Sequence, residues 1–341
     1  MRYAFLASSG LAALTQQELF ELAGVTSDIQ GNAILFSSEN QEVIKTLLTH
    51  AQAPRRLLAV LGCCQKIDQY PIGENLSFYF HDKTTFKIEV ENVAGQELRQ
   101  TIAKSVYNLL DTVFQNNSIN VRVDYKKPDV LIIVYFTGEE YIIGIDLYNQ
   151  ELNSRDYRVF PHSAVFKGDV AYWLIRESGY APGEKLLVGL VKDGTPAIEA
   201  GLYAGHLPIR KDLVTEIIPR PFAVIEAFDS SLSNVLAARK NVTLAHLRHG
   251  INIQHLSLED LDAHYEELYF DRMVFMVTSK DEEKINELYY QARLLLKDGG
   301  TILIMGRDRW ELPVSDRFEL ISTQKIKRGE GSSGVWLLRK R

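Results

Sequence analysis

The sequence predicts an α/β fold, with α+β segments at the N-terminus followed by an α/β domain of the nucleotide-binding type. Three observations carry this. Short apolar runs alternate with amphipathic stretches along most of the 341 residues. The stretch Lys185–Gly201 reads as an apolar strand, a turn ending in Gly194-Thr195 and a helix start with Pro196 in its first turn, where proline is tolerated. Finally, 46% hydrophobic and 24% charged residues describe an ordinary globular chain with the length for two or three domains.

Charge and cysteine content narrow the function classes. The net charge is −6, so attraction to nucleic acid must come from local basic clusters. Residues 1–150 hold 12 Lys/Arg against 17 Asp/Glu, and even that region is acidic. Adjacent Cys63 and Cys64 suit neither a disulfide framework nor a zinc site, and read as buried thiols in a reducing cytosol. The start MRYAFLASSG has no charged region before a long apolar core, and no apolar run approaches the ~20 residues of a membrane span. The expectation is a soluble, cytoplasmic protein without a metal centre. No Ser-His-Asp pattern or phosphate loop offers another enzyme class.

In chain order, Tyr3–Ala7 predicts a strand and Leu11–Leu22 an amphipathic helix with Leu11, Leu14, Leu19 and Leu22 on one stripe. Thr15 and Glu18 have capping-box spacing that would mark a later start. Asn32–Phe36 is a strand, Glu42–Thr49 a helix and Leu57–Leu61 a returning strand. The Arg55-Arg56 pair before it reads as solvated surface or as a phosphate contact. Phe78 and Phe80, then Phe86-Lys-Ile-Glu-Val, alternate as strands do. Glu97–Phe114 is a helix with Leu98, Ile102, Val106, Leu109-Leu110 and Val113 inward. Val121–Asp124 is a short strand, and Val130–Phe136 and Tyr141–Leu147 form a hairpin.

The order Phe86-x-Ile88-x-Val90, helix, Lys127-Pro128-Asp129-Val130-x-Ile132, Gly144-Ile145-x-Leu147 resembles the THUMP domain, an RNA-binding module of tRNA- and rRNA-modifying enzymes. Leu152-Asn-Ser-Arg155-Asp-Tyr157-Arg158 then resembles the junction of THUMP-containing RNA guanine-N2 methyltransferases, with Asp156 where that family has glycine. The resemblance runs to the C-terminus. It implies a ferredoxin-like α+β domain over 1–70, a THUMP-like domain over 71–150, a linker over 151–165 and a Rossmann-like class I methyltransferase domain over 166–341. A structured RNA would be engaged through phosphates and shape. Lys126, Lys127, Arg155 and Arg158 are the candidate contacts, although Lys126-Lys127 also reads as a polar turn. Pro161–Lys167 resembles the loop that covers the methyl donor, with Val165 in place of proline.

The remaining elements follow the same resemblance. Residues 169–178 form an amphipathic helix closed by Gly179. In the donor-binding turn, Val188 stands at the acidic position and Lys192-Asp193-Gly194-Thr195 replaces Gly-Ser-Gly-Thr. Lys192 would either fill the pocket or face solvent. Pro221–Phe228 is a strand ending in Asp229, which would hold ribose or cap the helix over Ser230–Asn241, where a serine can serve as N-cap. Gly194, Thr195 and Asp229 are the candidate cofactor contacts. After a strand at Ile251–Gln254 and another at Phe270–Phe275, the catalytic Asn-Pro-Pro-Tyr position holds Met276-Val277-Thr278-Ser279, with no amide, proline or aromatic ring. Lys284–Leu296 is a helix, Lys297–Gly300 a turn and Thr301–Met305 a strand. Phe318–Thr323 and Val335–Leu338 form a closing hairpin around a glycine-containing loop with Lys325, Lys327 and Arg328.

The resemblance therefore implies a non-catalytic RNA-binding protein with a pseudoenzyme domain and no cofactor, acting with a partner protein. The alternative is an active methyltransferase with divergent motifs, using S-adenosylmethionine. A third reading is a domain that binds another metabolite or serves only as a protein platform.

Overall fold

The computed structural model describes residues 1–69, 76, 78–162, 166–277, 281–307, 312–328 and 331–341. The chain divides into two compact units, Met1–Leu152 and Asn153–Arg341.

In the first unit, β1 (Arg2–Ala7), α1 (Ala12–Ala23), β2 (Asp28–Gln30), β3 (Ala33–Ser37), α2 (Gln41–His50) and β4 (Pro54–Cys64) follow the predicted order, except that the short β2 was not predicted. They are succeeded by β5 (Thr85–Glu91), α3 (Gln96–Asn116), β6 (Arg122–Val123), β7 (Val130–Phe136) and β8 (Tyr141–Asp146). The expected boundary at residue 70 does not divide the sheet. One eight-stranded sheet runs β2-β3-β1-β4-β8-β7-β5-β6. The reason lies in β4, which is long enough to pair β1 along one edge and β8 along the other, both antiparallel.

Arg55 and Arg56 are correspondingly neither free surface nor available to phosphate. Arg56 is buried and pairs with Glu91 (3.0 Å) and Asp146, while Arg55 pairs with Glu91 and Glu151. Burial raises the Asp146 carboxyl above its usual range despite the opposing charge of Arg56. Thr15 and Glu18 are not a capping box. The helix begins at Ala12, Thr15 Oγ1 donates to Leu11 O, and buried Glu18 accepts from the Gln52 and Ala53 amides. Phe78 and Phe80 are not on a strand either, because Tyr79 and Phe80 N–H turn back onto Leu76 O. This sends Phe80 into the core against Phe114 and leaves Phe78 exposed. Along α3 the buried stripe is Ile102, Val106, Leu110 and Phe114, while Leu98, in the first turn, is exposed. Cys63 and Cys64 are free thiols, the first half-buried; burial pushes Cys64 up to about 11.

The second unit begins at Asn153, so residues 153–162 pack as part of it and are no free linker. Its elements are α4 (Gly168–Glu177), β9 (Leu186–Gly189), α5 (Thr195–Ala204), β10 (Ile225–Asp229), α6 (Leu232–Leu244), β11 (Ile251–His255), α7 (Leu261–His264), β12 (Phe270–Met276), α8 (Glu282–Leu295), β13 (Leu296–Arg307), β14 (Phe318–Arg328) and β15 (Gly331–Lys340). They form a seven-stranded sheet in the order β11-β10-β9-β12-β13-β15-β14, in which only β14 and β15 pair antiparallel to their neighbours. Buried Leu187, Phe275, Ile302 and Leu338 belong to one apolar core with α8. The turn expected over Lys297–Gly300 is part of β13. It is accommodated as a bulge, the register passing from Phe270↔Leu296 to Arg272↔Thr301, with Gly299 at φ 73°. The closing hairpin is longer than predicted, with Lys325 and Gly334 paired inside it.

Candidate functional site

β9 ends where the strand order of its sheet reverses, with β10 on one side and β12 on the other. In open parallel sheets ligands bind outside the carboxyl ends of the strands at such a point. The sequence places β9 there because Leu186, Leu187 and Val188 are apolar enough to be buried between two helix layers, and all three are fully buried. Gly189 follows for a steric reason. A Cβ there would lie 2.2 Å from the Phe275 ring, which stands opposite it in register. Phe275 in turn meets Phe228 edge-on, with ring centroids 6.0 Å apart.

The turn 190–194 contains three left-handed residues, Leu190 (φ 57°), Lys192 (φ 53°) and Gly194 (φ 84°). Only glycine adopts that backbone without a Cβ penalty of roughly 1–2 kcal/mol. The backbone path therefore suits glycine at 192 although lysine occupies the position. Of the two readings for its side chain, solvent exposure is excluded, since Lys192 is 8% exposed.

Asp193 is fully buried and its carboxylate is filled from four sides. Oδ1 accepts from Thr195 N (3.2 Å) and Thr195 Oγ1 (2.8 Å); Oδ2 accepts from Arg158 Nε (3.0 Å) and His162 N (3.0 Å). An ionised carboxylate offers about four acceptor positions. Asn241, on α6, stitches the 157–162 segment to the same turn. Its Nδ2 donates to Asp193 O (2.9 Å) and Phe160 O (3.0 Å), and its Oδ1 accepts from Phe160 N (3.1 Å). Lys240 Nζ sits 4.7 Å from the Phe160 ring centroid.

Asp229, at the end of β10, is 4% exposed. Its Oδ2 accepts from Lys192 N (2.9 Å), and its Oδ1 from Ser231 N (2.9 Å) and Asn234 Nδ2 (3.0 Å). The expected serine cap is not formed, because Ser231 makes no side-chain cap bond and Asp229 supplies the acceptor at the start of α6. Gly194 and Thr195 open α5 as expected; Gly194 O accepts from Ile198 N (2.9 Å), and a Cβ on Gly194 would approach that of Ala238 to 3.1 Å.

The four candidate RNA contacts separate into different environments. Lys126 and Lys127 are exposed, and their backbone N–H groups both bond Asp124 Oδ1 (2.7 and 3.1 Å) beside exposed Tyr125. Arg158 is part-buried and committed to Asp193. Arg155 is an interior residue, which overturns its reading as an RNA contact. Its side chain is fully buried, with Nε and Nη2 on the two oxygens of Glu199 (2.8 and 3.0 Å), and Tyr157 Oη adds a third donor at 2.6 Å. Burial opposes the Arg155 charge, but Glu199 outweighs it by charge and hydrogen bonding, so the guanidinium stays above its usual pKa. Burial first, and then the Glu199 charge, drive the Tyr157 phenol far above its own. At the catalytic position Met276 and Val277 are buried, and Val277 N bonds Met305 O (2.8 Å); Thr278 and Ser279 lie outside the described residues.

Glu199, Tyr157, Asp193 and Asn241 therefore organise the site; the sequence marked Asp193 only as a departure in the donor-binding turn and assigned no site role to the other three. One signal was available for Glu199: an acid between Ile198 and Ala200 in an otherwise apolar helix demands a buried partner. Among the described residues no group of three His, Cys, Asp or Glu could hold a metal ion, and no helix is long and apolar enough to cross a membrane.

Strand order, the β9 turn and α5 together define a Rossmann-like methyltransferase-type domain. Residues 155–294 match the family UPF0020, described as RMKL-like, methyltransferase domain. The whole chain is similar in fold to TrmN from Thermus thermophilus, at 19% identity and a TM-score of 0.75, over 100% of this chain and 99% of that one. It is likewise similar to SMU.472, solved in complex with SAH, at 15% identity and a TM-score of 0.75 over 100% and 98% of the two chains. A predicted N6-adenine-specific DNA methylase from Listeria monocytogenes str. 4b F2365 aligns at 16% identity and a TM-score of 0.72, over 98% and 95%. At these identities the likeness is one of fold.

Proposed function

We propose that this chain is a cytoplasmic RNA-binding protein whose methyltransferase-like unit does not transfer methyl groups, and that its ligand is structured tRNA or rRNA. The observation that carries the reading is that the carboxylates at the switch point are satisfied from within. Asp193 has four protein donors and Asp229 three, and both are buried. A ribose must find an acceptor with open positions, and one lone-pair site on a 4% exposed side chain is a poor one. Val188 brings no acid to the end of β9, buried Lys192 occupies the position suited to glycine, and Phe228 and Phe275 pack beside the strand end. These residues do not fit S-adenosylmethionine. The RNA side of the reading rests on the THUMP-like order of β5, α3, β6, β7 and β8 and on exposed Lys126 and Lys127 beside Tyr125.

Isothermal titration with S-adenosylmethionine, with filter binding of unmodified tRNA at low salt alongside, tests both halves. The expected result is no donor heat and clear tRNA retention. Micromolar donor binding, or transfer of labelled methyl groups to tRNA or rRNA fragments, would overturn the loss of catalysis. Absence of any tRNA retention at low salt would overturn the RNA half.

A further inference from the structure

The outer edge of β5 is open over most of its length. β6 pairs only Thr85 and Phe86, and Asp124 N then bonds Phe86 O (3.0 Å). Since successive residues of a strand turn their N–H and C=O to opposite sides, Ile88 and Val90 present theirs outward, where no described strand pairs them. A groove of about 990 Å³ runs along this edge, bounded by α3 on one side and by Val123 and Tyr125 at one end.

Charge in the groove is one-sided. Glu89 and Glu91 line it but are engaged, Glu89 with Lys87 (2.6 Å), which also lines the groove, and with Arg56 (3.5 Å), Glu91 with Arg55 and Arg56. Exposed Arg99 and Lys104 on α3 form no salt bridge with the described residues. On a chain of net charge −6 these are two uncompensated cations beside an unused hydrogen-bonding edge. Their separation along the helix axis, roughly 7.5 Å for five residues, is close to the ~6.6–6.8 Å two-residue repeat of an extended strand.

We propose that this edge docks an extended segment of a partner protein, adding a strand beside β5, with acidic side chains at alternate positions facing Arg99 and Lys104. Strand addition draws affinity from main-chain hydrogen bonds and specificity from alternate side chains. A single-stranded RNA is the poorer occupant. The Tyr107 ring is already stacked on Phe86 at 6.1 Å and 8°, which takes one of its faces, and the groove floor offers a strand ladder in place of a base platform. The proposal stands independently of methyl transfer.

The probe is a short fluorescent peptide alternating glutamate with valine, tested on the full chain. Hydrogen exchange should slow at the Ile88 and Val90 amides when it binds. The double variant Arg99→Glu, Lys104→Glu should weaken binding roughly tenfold or more, since two exposed charges are reversed. A lysine-for-glutamate peptide and a peptide N-methylated at alternate backbone positions should both fail. The proposal is overturned if the acidic peptide does not bind at roughly millimolar concentration, if protection falls elsewhere, or if the N-methylated peptide binds equally. It is also overturned if oligouridylate displaces the peptide and loses affinity in the same variant.

Discussion

Glu199 is the residue on which the interior of the methyltransferase-like unit depends most. It holds Arg155 through both oxygens and Tyr157 through one, with no solvent access. Glu199→Gln removes the main counter-charge of a buried guanidinium, and breaking a buried pair costs about 3–5 kcal/mol. The urea midpoint of that unit should fall accordingly; an unchanged midpoint would show the pair to be dispensable. A second residue carries a pH signature. Thr85, through its N–H (2.8 Å) and hydroxyl (2.7 Å), holds the Asp129 carboxyl below the usual carboxylate range. A depressed folded pKa contributes stability that is present above the unfolded value, about 3.9, and is lost as pH falls through the folded one. Asp129→Asn should therefore lower the neutral plateau and flatten the acid limb, so that variant and wild type converge at low pH, as read by thermal melts across that range.

Among the elements, α6 does more than pack its apolar residues. Through Asn241 it ties the 157–162 segment to the turn after β9, a side-chain clamp spanning 81 residues to Phe160 and 48 to Asp193. Without it, that segment still keeps the Arg158 and His162 bonds to Asp193, the Tyr157 bond to Glu199 and the Lys240 contact with the Phe160 ring. Asn241→Ala should cost roughly 1–3 kcal/mol, because it leaves buried acceptors such as Asp193 O unpaired. Chymotrypsin cleavage at Phe160 should accelerate in step with that loss, and cleavage at the wild-type rate would mean the segment is held by other contacts. The helix itself was legible as a run of helix-forming residues after Asp229. The clamp was not, because an asparagine within a helix carries no periodic signal of what it touches.

For the whole molecule, an excess of acidic residues makes any RNA affinity a matter of a few local cations. Each phosphate contact contributes about 0.9 to the slope of log K against log salt for duplexes and about 0.7 for single strands. If Lys126 and Lys127 each meet one phosphate, the double alanine variant should weaken tRNA binding and lower that slope by between about 1.4 and 1.8. An unchanged slope would assign the pair to the turn made with Asp124. The sheet of the first unit teaches a related lesson. Two α+β segments were readable one after the other, but β4 is an eleven-residue strand, and its far edge recruits β8 into the same sheet.

The order and type of nearly every element were determined by the sequence itself, because hydrophobic periodicity reports backbone conformation within a few residues: β1, α1, α3, β7, β9 and α8 were all visible this way. The altered turn at Lys192-Asp193 was equally visible, since residue type decides whether a glycine-like path is comfortable. Only the tertiary structure decided what those polar groups meet. Arg155 finds Glu199 across 44 positions and Arg158 finds Asp193 across 35, turning two candidate RNA contacts into one buried pair and one part-buried pair. The physical reason is that a charge carries no local signature of its partner. Its environment is set by which strands the core brings together, and that packing placed Phe275 over Gly189 and Asp229 against Lys192.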